Sequence, residues 1–195
     1  YDTKDKKVVW SDRWQEKWDN LPAIKGILSD GLLKALDTTS KEEKKVQSIN
    51  PDAYELYLKA KHKYEKRINT DDVEIVRGLL KKAIELDNNL LVAKRLLGIT
   101  YLDIGEYNKA LDIFNSNLKQ AEEFDDKAQM LNNIIGIGTV QSYKGEYDNA
   151  LANYEIAHKI AEEIDSEPGI GRILSHMGVV NFHRGNNDKA LESWE

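Results

Sequence analysis

Between residues 91 and 124 apolar side chains recur three, four and seven positions apart, the spacing of one stripe along an α-helix. Leu91, Leu97, Gly98 and Tyr101 make the first stripe. The stretch Asp103-Ile104-Gly105-Glu106-Tyr107 follows, with Gly105 placed to take the left-handed backbone conformation that ends helices. A second stripe, Ala110, Phe114 and Leu118, one turn apart, predicts a partner helix. The sequence then does the same again. Ile137-Gly138 precede Lys144-Gly145-Glu146-Tyr147, and Ala150, Tyr154 and Ala157 follow. Met177-Gly178 precede Arg184-Gly185-Asn186-Asn187, and Ala190 and Trp194 follow.

The interval is 40 residues, and it holds for Gly98, Gly138 and Gly178, for Gly105, Gly145 and Gly185, and for Ala110, Ala150 and Ala190. A leucine follows each alanine, and an aromatic residue stands three further on, at Phe114, Tyr154 and Trp194. A period of this size marks a solenoid, whose units are too small to bury their own apolar faces and must stack. The small residues are expected where helices cross closely, with the aromatic filling the space between one pair and the next. The units run over about 51–90, 91–130, 131–170 and 171–195, the last stopping short. Its final helix is expected to fray or to associate with another molecule. In the weaker first unit, Pro51 opens a helix capped by Asn50, with Ala53, Tyr54, Tyr57, Leu58 and Tyr64 on one face. Thr70 or Asp71 caps the next, which runs through Leu79, Leu80, Ala83, Ile84 and Leu86 and ends at Asp87-Asn88-Asn89.

The pattern Leu-Gly-x-x-Tyr followed by Gly-x-Tyr-x-x-Ala-Leu resembles the tetratricopeptide repeat. The resemblance covers residues 51–195 and implies an all-α, right-handed superhelix of antiparallel helix pairs. There are departures: a longer period than usual, as in signalling scaffolds and peptide sensors, Asn88 in place of the loop proline, and Gln141 and Asn181 where Tyr101 has its aromatic ring. Those two positions are expected to pack more loosely. The resemblance also implies that the first helix of each pair lines a concave face. The positions concerned are Val92, Arg95, Ile99 and Leu102, then Asn132, Ile135, Thr139, Ser142 and Tyr143, then Arg172, Ser175, Val179, Phe182 and His183. Arginines there suit carboxylates, and amides and hydroxyls suit a peptide backbone. The Lys/Asn/Asn/Lys/Arg clamp with which some members hold chaperone C-termini has no counterpart here.

Residues 1–50 stand outside the repeat. Lys7-Val8-Val9-Trp10 reads as the end of a strand, and Pro22 opens an amphipathic helix bearing Leu21, Ile24, Leu28, Leu32 and Leu36, closed by Asp37-Thr38-Thr39-Ser40. Trp10-Ser11-Asp12-Arg13-Trp14, that helix, and the run from Ser48 to Lys59 resemble the junction at which a TolB-like domain leads into tetratricopeptide repeats in bacterial proteins. Such proteins often carry a nucleotide cyclase or a winged-helix domain upstream. Trp10, Trp14 and Trp18 then either have lost a packing partner or cap the first repeat.

The chain has 195 residues, 41% hydrophobic and 32% charged, which is globular composition. It lacks cysteine, so it has no disulfide framework and no thiolate metal site. Net charge is −6; residues 1–50 contribute +1 and the repeats −7, which disfavours nucleic acid as a partner. No run reaches the ~20 apolar residues of a membrane span. His176 and His183 share a helix face without a third ligand, so no metal is expected, and no cofactor either. Gly136-Ile137-Gly138 and Pro168-Gly169-Ile170-Gly171 lack the lysine and hydroxyl of a phosphate loop. The acid clusters at 122–126 and 162–165 read as solvated corners, and no triad can be assembled. The expectation is a non-catalytic module that binds a protein or peptide within a larger signalling protein, cytoplasmic or, given an upstream membrane span, periplasmic. The alternatives are the regulatory tail of a nucleotide cyclase, whose catalytic residues lie elsewhere, and the sensor half of a transcriptional regulator.

Overall fold

The computed structural model describes residues 49–194. The strand, helix and tryptophans expected within residues 1–48, and with them the TolB-like junction, lie outside the described residues. Eight helices follow in order: α1 (Pro51–Glu65), α2 (Thr70–Leu86), α3 (Leu91–Asp103), α4 (Tyr107–Glu123), α5 (Lys127–Tyr143), α6 (Tyr147–Glu163), α7 (Glu167–His183) and α8 (Asn187–Glu192). There is no strand among the described residues. No helix among them is long and apolar enough to cross a membrane.

Local chemistry sets the helix ends. Pro51 needs no N–H partner at the start of α1, and Asn50 Oδ1 accepts from the N–H groups of Asp52 and Ala53 at 3.0 and 3.3 Å. The cap of α2 is Asn69, and not Thr70 or Asp71 as the sequence suggested. With Asn69 accepting from the Asp72 N–H at 3.0 Å, Asp72 falls where its carboxylate can reach back to the Ile68 N–H (3.0 Å) and to Lys63 Nζ (2.7 Å). A reciprocal cap of this kind satisfies more donors than either expected alternative. Inside each pair the chain reverses at Gly105, Gly145 and Gly185, with φ of 75°, 79° and 78°. Between pairs the same left-handed conformation falls to Asp125 and Asp165, both at φ 51°. Two of the acids that read as solvated corners therefore close a helix as well.

The recurring small residues face the recurring rings. A methyl group on Gly98 would stand 2.7 Å from Phe114 Cε1, one on Gly136 would stand 2.9 Å from Phe114 Cζ, and one on Gly138 would stand 2.7 Å from Tyr154 Cε1. Gly178 faces the Trp194 indole in the same way. Phe114 thus sits between its own pair and the next, as expected. Ala110, Ala150 and Ala190 are buried beside these rings. In α2 the ring's place is taken by buried Leu80. On α1 the buried stripe is Ala53, Tyr57 and Ala60, while Leu58 is 37% exposed. Leu58 was expected on that face; one residue past Tyr57 it turns roughly 100° away from it.

Amides carry part of the core. Asn117 Nδ2 donates to Leu91 O and to Asn133 Oδ1, both at 3.0 Å, and Asn133 Nδ2 donates to Gln129 O at 2.7 Å. Both side chains are fully buried, and they tie α3, α4 and α5 together. Where Tyr101 lies between Arg77 and Lys109, Gln141 instead accepts a hydrogen bond from Asn153 Nδ2 at 2.9 Å, and Asn181 is buried.

Contacts between pairs set the curvature. The first helices touch in series, α1 with α3, α3 with α5 and α5 with α7. No comparable contact joins α2 to α4 or α4 to α6. The first helices are therefore crowded on the inside of the curve and the second helices are spread on the outside.

Candidate functional site

The inner face is built from α3, α5 and α7, and its charge differs from that of the outer helices. These three carry Lys94, Arg95, Lys127 and Arg172 against Asp103 and Glu167, which stand at helix ends. The outer helices α4 and α6 carry seven acids against three lysines. Of the inner-helix cations, Lys127 pairs with Glu163 of α6 at 2.9 Å and Lys94 donates to Gln120 Oε1 of α4 at 2.6 Å, so both reach toward the outer helices.

Arg95 is the central group. It is largely buried on α3, and burial holds its guanidinium below the ordinary arginine value. After burial, Tyr57 and Tyr64 of α1 and Arg172 of α7 are the titratable groups that bear on it. Its Nε is buried and unpartnered. Arg172, two repeats along, sends Nη2 back across α5 to Asn132 Oδ1 at 2.7 Å. Asn132 is held in turn by its Nδ2 donating to Ala128 O at 2.8 Å. Arg172 is itself exposed, and partial desolvation alone holds its guanidinium below the ordinary value.

One turn beyond Arg172, His176 lies parallel to the Tyr154 ring, with centroids 5.4 Å apart. Burial first, and then the Arg172 charge, hold His176 below its ordinary value, which favours the neutral imidazole. Tyr154 is wholly buried and its phenol is pushed up to about 12 by that burial. The Tyr154 hydroxyl donates to Thr139 Oγ1 at 3.3 Å, and Thr139 donates to Ile135 O at 2.8 Å. The ring that fixes the spacing of α5 and α6 is thus also the wall on which His176 rests.

The expected groove residues divide into several groups. Asn132 and Arg172 are hydrogen-bonded to each other, Arg95 is largely buried one repeat before Asn132, and Thr139 accepts from the Tyr154 hydroxyl. Ile99 and Leu102 are half-buried against the core and offer apolar edges. Ile135 is 5% exposed and packs inside the core, so it presents no side chain to the groove. Facing α6 and α7 from the middle of α5, it belongs to the buried side of that helix. Ser142 is half-buried. Ser175 is exposed and bonds back to Gly171 O at 2.9 Å. Val179 and Phe182 are exposed on α7. Tyr143 and His183 are engaged in stacks between repeats, Tyr143 with Tyr107 at 6.2 Å and His183 with Tyr147 at 6.3 Å. Val92 lines a separate cleft of about 510 Å³ at the rim, with Leu90, Phe124, Lys127 and Ile164.

Sequence reasoning missed Tyr57 and Tyr64 beside Arg95, and missed His176 as part of the wall. The available signal for His176 was its position four residues after Arg172, hence on the same helix face. Among the described residues no three His, Asp or Glu side chains are grouped to hold a metal ion. The inner face offers guanidinium, amide and hydroxyl donors on a fixed scaffold, which is chemistry for holding an anionic or peptide-like group.

Residues 88–163, from the turn before α3 to the end of α6, match the tetratricopeptide repeat family, a protein-interaction module. No curated protein matches the chain by sequence. Among solved structures, a crystal structure of MamA is similar over 93% of this chain and 92% of MamA, at 23% identity and a TM-score of 0.52. Aspartyl phosphate phosphatase F from Bacillus subtilis is similar over 90% of this chain and 48% of its own length, at 19% identity and a TM-score of 0.65. The apo form of RapI is similar over 88% of this chain and 45% of its own, at 16% identity and a TM-score of 0.61. The chain thus spans about half the length of the latter two. At these identities the likeness is one of fold, a tetratricopeptide-like solenoid.

Proposed function

We propose that this solenoid binds a peptide segment of a partner protein along the inner face of α3, α5 and α7, and that occupancy is relayed to an output domain of a longer signalling protein. The binding part rests on one observation. Arg172 of one repeat bonds Asn132 of the repeat before it at 2.7 Å, and Arg95, one repeat earlier again, carries a buried Nε without a partner, all three on the first helices of their pairs. A segment crossing three repeats would meet donors at each of them, with Ile99, Leu102 and Val179 supplying apolar contact between. The relay rests on the resemblance of residues 10–14 and 48–59 to a junction found in bacterial signalling proteins, including nucleotide cyclases and transcriptional regulators; we place such a protein in the cytoplasm.

Selection of a random peptide library on the purified chain tests the binding part, with the bound surface mapped by amide hydrogen exchange. Protection is expected on the inner turns of α3, α5 and α7. Binders that protect only α4 and α6, or none that survive washing, refute the groove. Cyclase or promoter-binding activity of the full reading frame, measured with and without the selected peptide, tests the relay.

A further inference from the structure

We infer that the rim cleft at the start of α3 is a docking site for this chain's own residues 21–36, the leucine-striped segment that lies outside the described residues. This concerns a different surface from the inner face and does not rest on it.

The cleft lies where one helix starts late. Counted back from the repeating glycines, α5 and α7 begin eleven residues before Gly138 and Gly178, whereas α3 begins seven residues before Gly98. The shortfall is a little over one turn, about 6 Å of helix. The turns that lead into α3, α5 and α7 all contribute to the cleft of about 510 Å³ that opens there. That volume falls within the ~300–1,000 Å³ of ordinary ligand pockets. What the cleft offers is chiefly apolar. Val92, Phe124 and Ile164 are half-buried along it, and Ile49 is 37% exposed. Two of its charged groups are engaged already: Asp126 accepts from the Gln129 N–H at 3.0 Å, and Lys127 pairs with Glu163 at 2.9 Å. Apolar side chains in an open cleft favour an apolar occupant.

The chain itself brings one to the spot. Ile49, the first described residue, lines the cleft. Asn50, next to it, is fastened to the end of α2: its N–H donates to Asp87 Oδ2 at 3.1 Å and its Nδ2 to Leu86 O at 3.4 Å. The polypeptide that precedes Ile49 therefore arrives at the edge of the cleft. Upstream, Leu21, Ile24, Leu28, Leu32 and Leu36 have the spacing of one helical stripe. Gly26 and Gly31 interrupt the same stretch, so a helix there gains little by standing alone and needs a surface to cover. The mostly polar residues 37–48 join the stripe to Ile49. Extended, they reach about 40 Å, and a helix over 21–36 is about 24 Å long, so the stripe can fold back across the cleft. A tether of this length supplies an effective concentration in the millimolar range, which favours this occupant over a free apolar peptide or the same segment of a second chain.

The test uses the whole chain, which has no cysteine of its own. Two double variants are treated with a short bis-maleimide. Ser29→Cys/Lys127→Cys places thiols beside Leu28 and on the edge of the cleft, and Ser29→Cys/Ser175→Cys places the second thiol on the inner face. The first is expected to cross-link within one molecule, roughly tenfold faster than the second. Amide hydrogen exchange over 21–36 is expected to be roughly tenfold slower than in the isolated peptide of that sequence. Leu28→Ser/Leu32→Ser, which alters only the segment, and Val92→Asp, which alters only the cleft, should each remove that protection. Unchanged exchange in α5 and α6 shows that the array is intact in both. Ile156→Asp, at an exposed position of α6, should leave the protection as in the parent. Preferential cross-linking to position 175, cross-links formed only between two molecules, protection that survives both Leu28→Ser/Leu32→Ser and Val92→Asp, or exchange over 21–36 as fast as in the free peptide would each overturn the inference.

Discussion

Gly138→Ala adds one methyl group at the most constrained point of the α5–α6 seam, and the outcome can be worked from distances. The new carbon would lie 2.7, 3.0 and 3.2 Å from Tyr154 Cε1, Cδ1 and Cζ. Carbon atoms pack at about 3.5–4.0 Å, so the ring must retreat by nearly 1 Å. Tyr154 has no free volume to retreat into, being wholly buried, bonded to Thr139 and stacked on His176. Overpacking of this kind costs about 1–3 kcal/mol, and alanine's better helix propensity returns up to about 1 kcal/mol. The net expectation is a loss of roughly 1–2 kcal/mol, or a fall in Tm of about 2–8 °C for a chain of this size. Gly171→Ala and Gly78→Ala provide the contrast, because nothing lies within 4 Å of a methyl group at either position. Each should gain about 0.5–1 kcal/mol from propensity alone. Urea unfolding followed by far-ultraviolet circular dichroism measures all three. In a Tyr154→Leu background the sign at residue 138 should reverse, since the ring edge is gone. If Gly138→Ala stabilises the parent as much as Gly171→Ala does, the close approach of ring and backbone is not what sets the helix spacing.

Three further outcomes are expected. Asn117→Ala leaves Leu91 O and Asn133 Oδ1 without this donor and should cost about 1–3 kcal/mol in urea unfolding, whereas Asn117→Ala/Asn133→Leu should recover part of the loss by removing the second of those acceptors. Gly145→Ala forces a side chain into the left-handed region and should cost about 1–2 kcal/mol, while Asp165→Gly, at the equivalent backbone conformation between pairs, should be neutral or mildly stabilising in the same assay. His176 is held below its ordinary value in the folded chain, so the unfolded chain takes up the proton first as pH falls. Its contribution is therefore present above about pH 6.5 and is lost as pH drops through the depressed folded value; urea midpoints at neutral and mildly acidic pH should separate less in His176→Gln than in the parent.

The parts of the fold that were legible in the sequence are those in which backbones approach closely. Gly98, Gly138 and Gly178 recur because each faces a ring, and a methyl group at any of them has nowhere to go. Gly105, Gly145 and Gly185 recur because the turn requires positive φ. Such constraints act on residue identity directly, so they survive as a pattern. Helix rotation acts less directly, and there the reading slipped: Leu58 faces out, and Ile135 faces in although it was placed in the groove. A stripe about 100° wide leaves its edge positions undecided until the neighbouring helix is known. The Asn117–Asn133 pair was invisible for a different reason. Two buried amides have no signature until the fold brings residues 16 apart in sequence together. Asp125 and Asp165 looked like ordinary acids because aspartate is common in loops for reasons unrelated to left-handed backbone. Of the site, the two arginines were legible as candidates by repeat position. Their lack of any acid partner could be read only from coordinates.

Because α3, α5 and α7 are joined in series while α4 and α6 stand apart, resistance to bending is concentrated along one side of the rod. Pulling α3 and α7 together by a fraction of an ångström would tilt the two ends of the array through a much larger arc, as a short displacement near a pivot does at the far end of a lever. Whatever is joined to either end would feel that swing without touching the hollow itself.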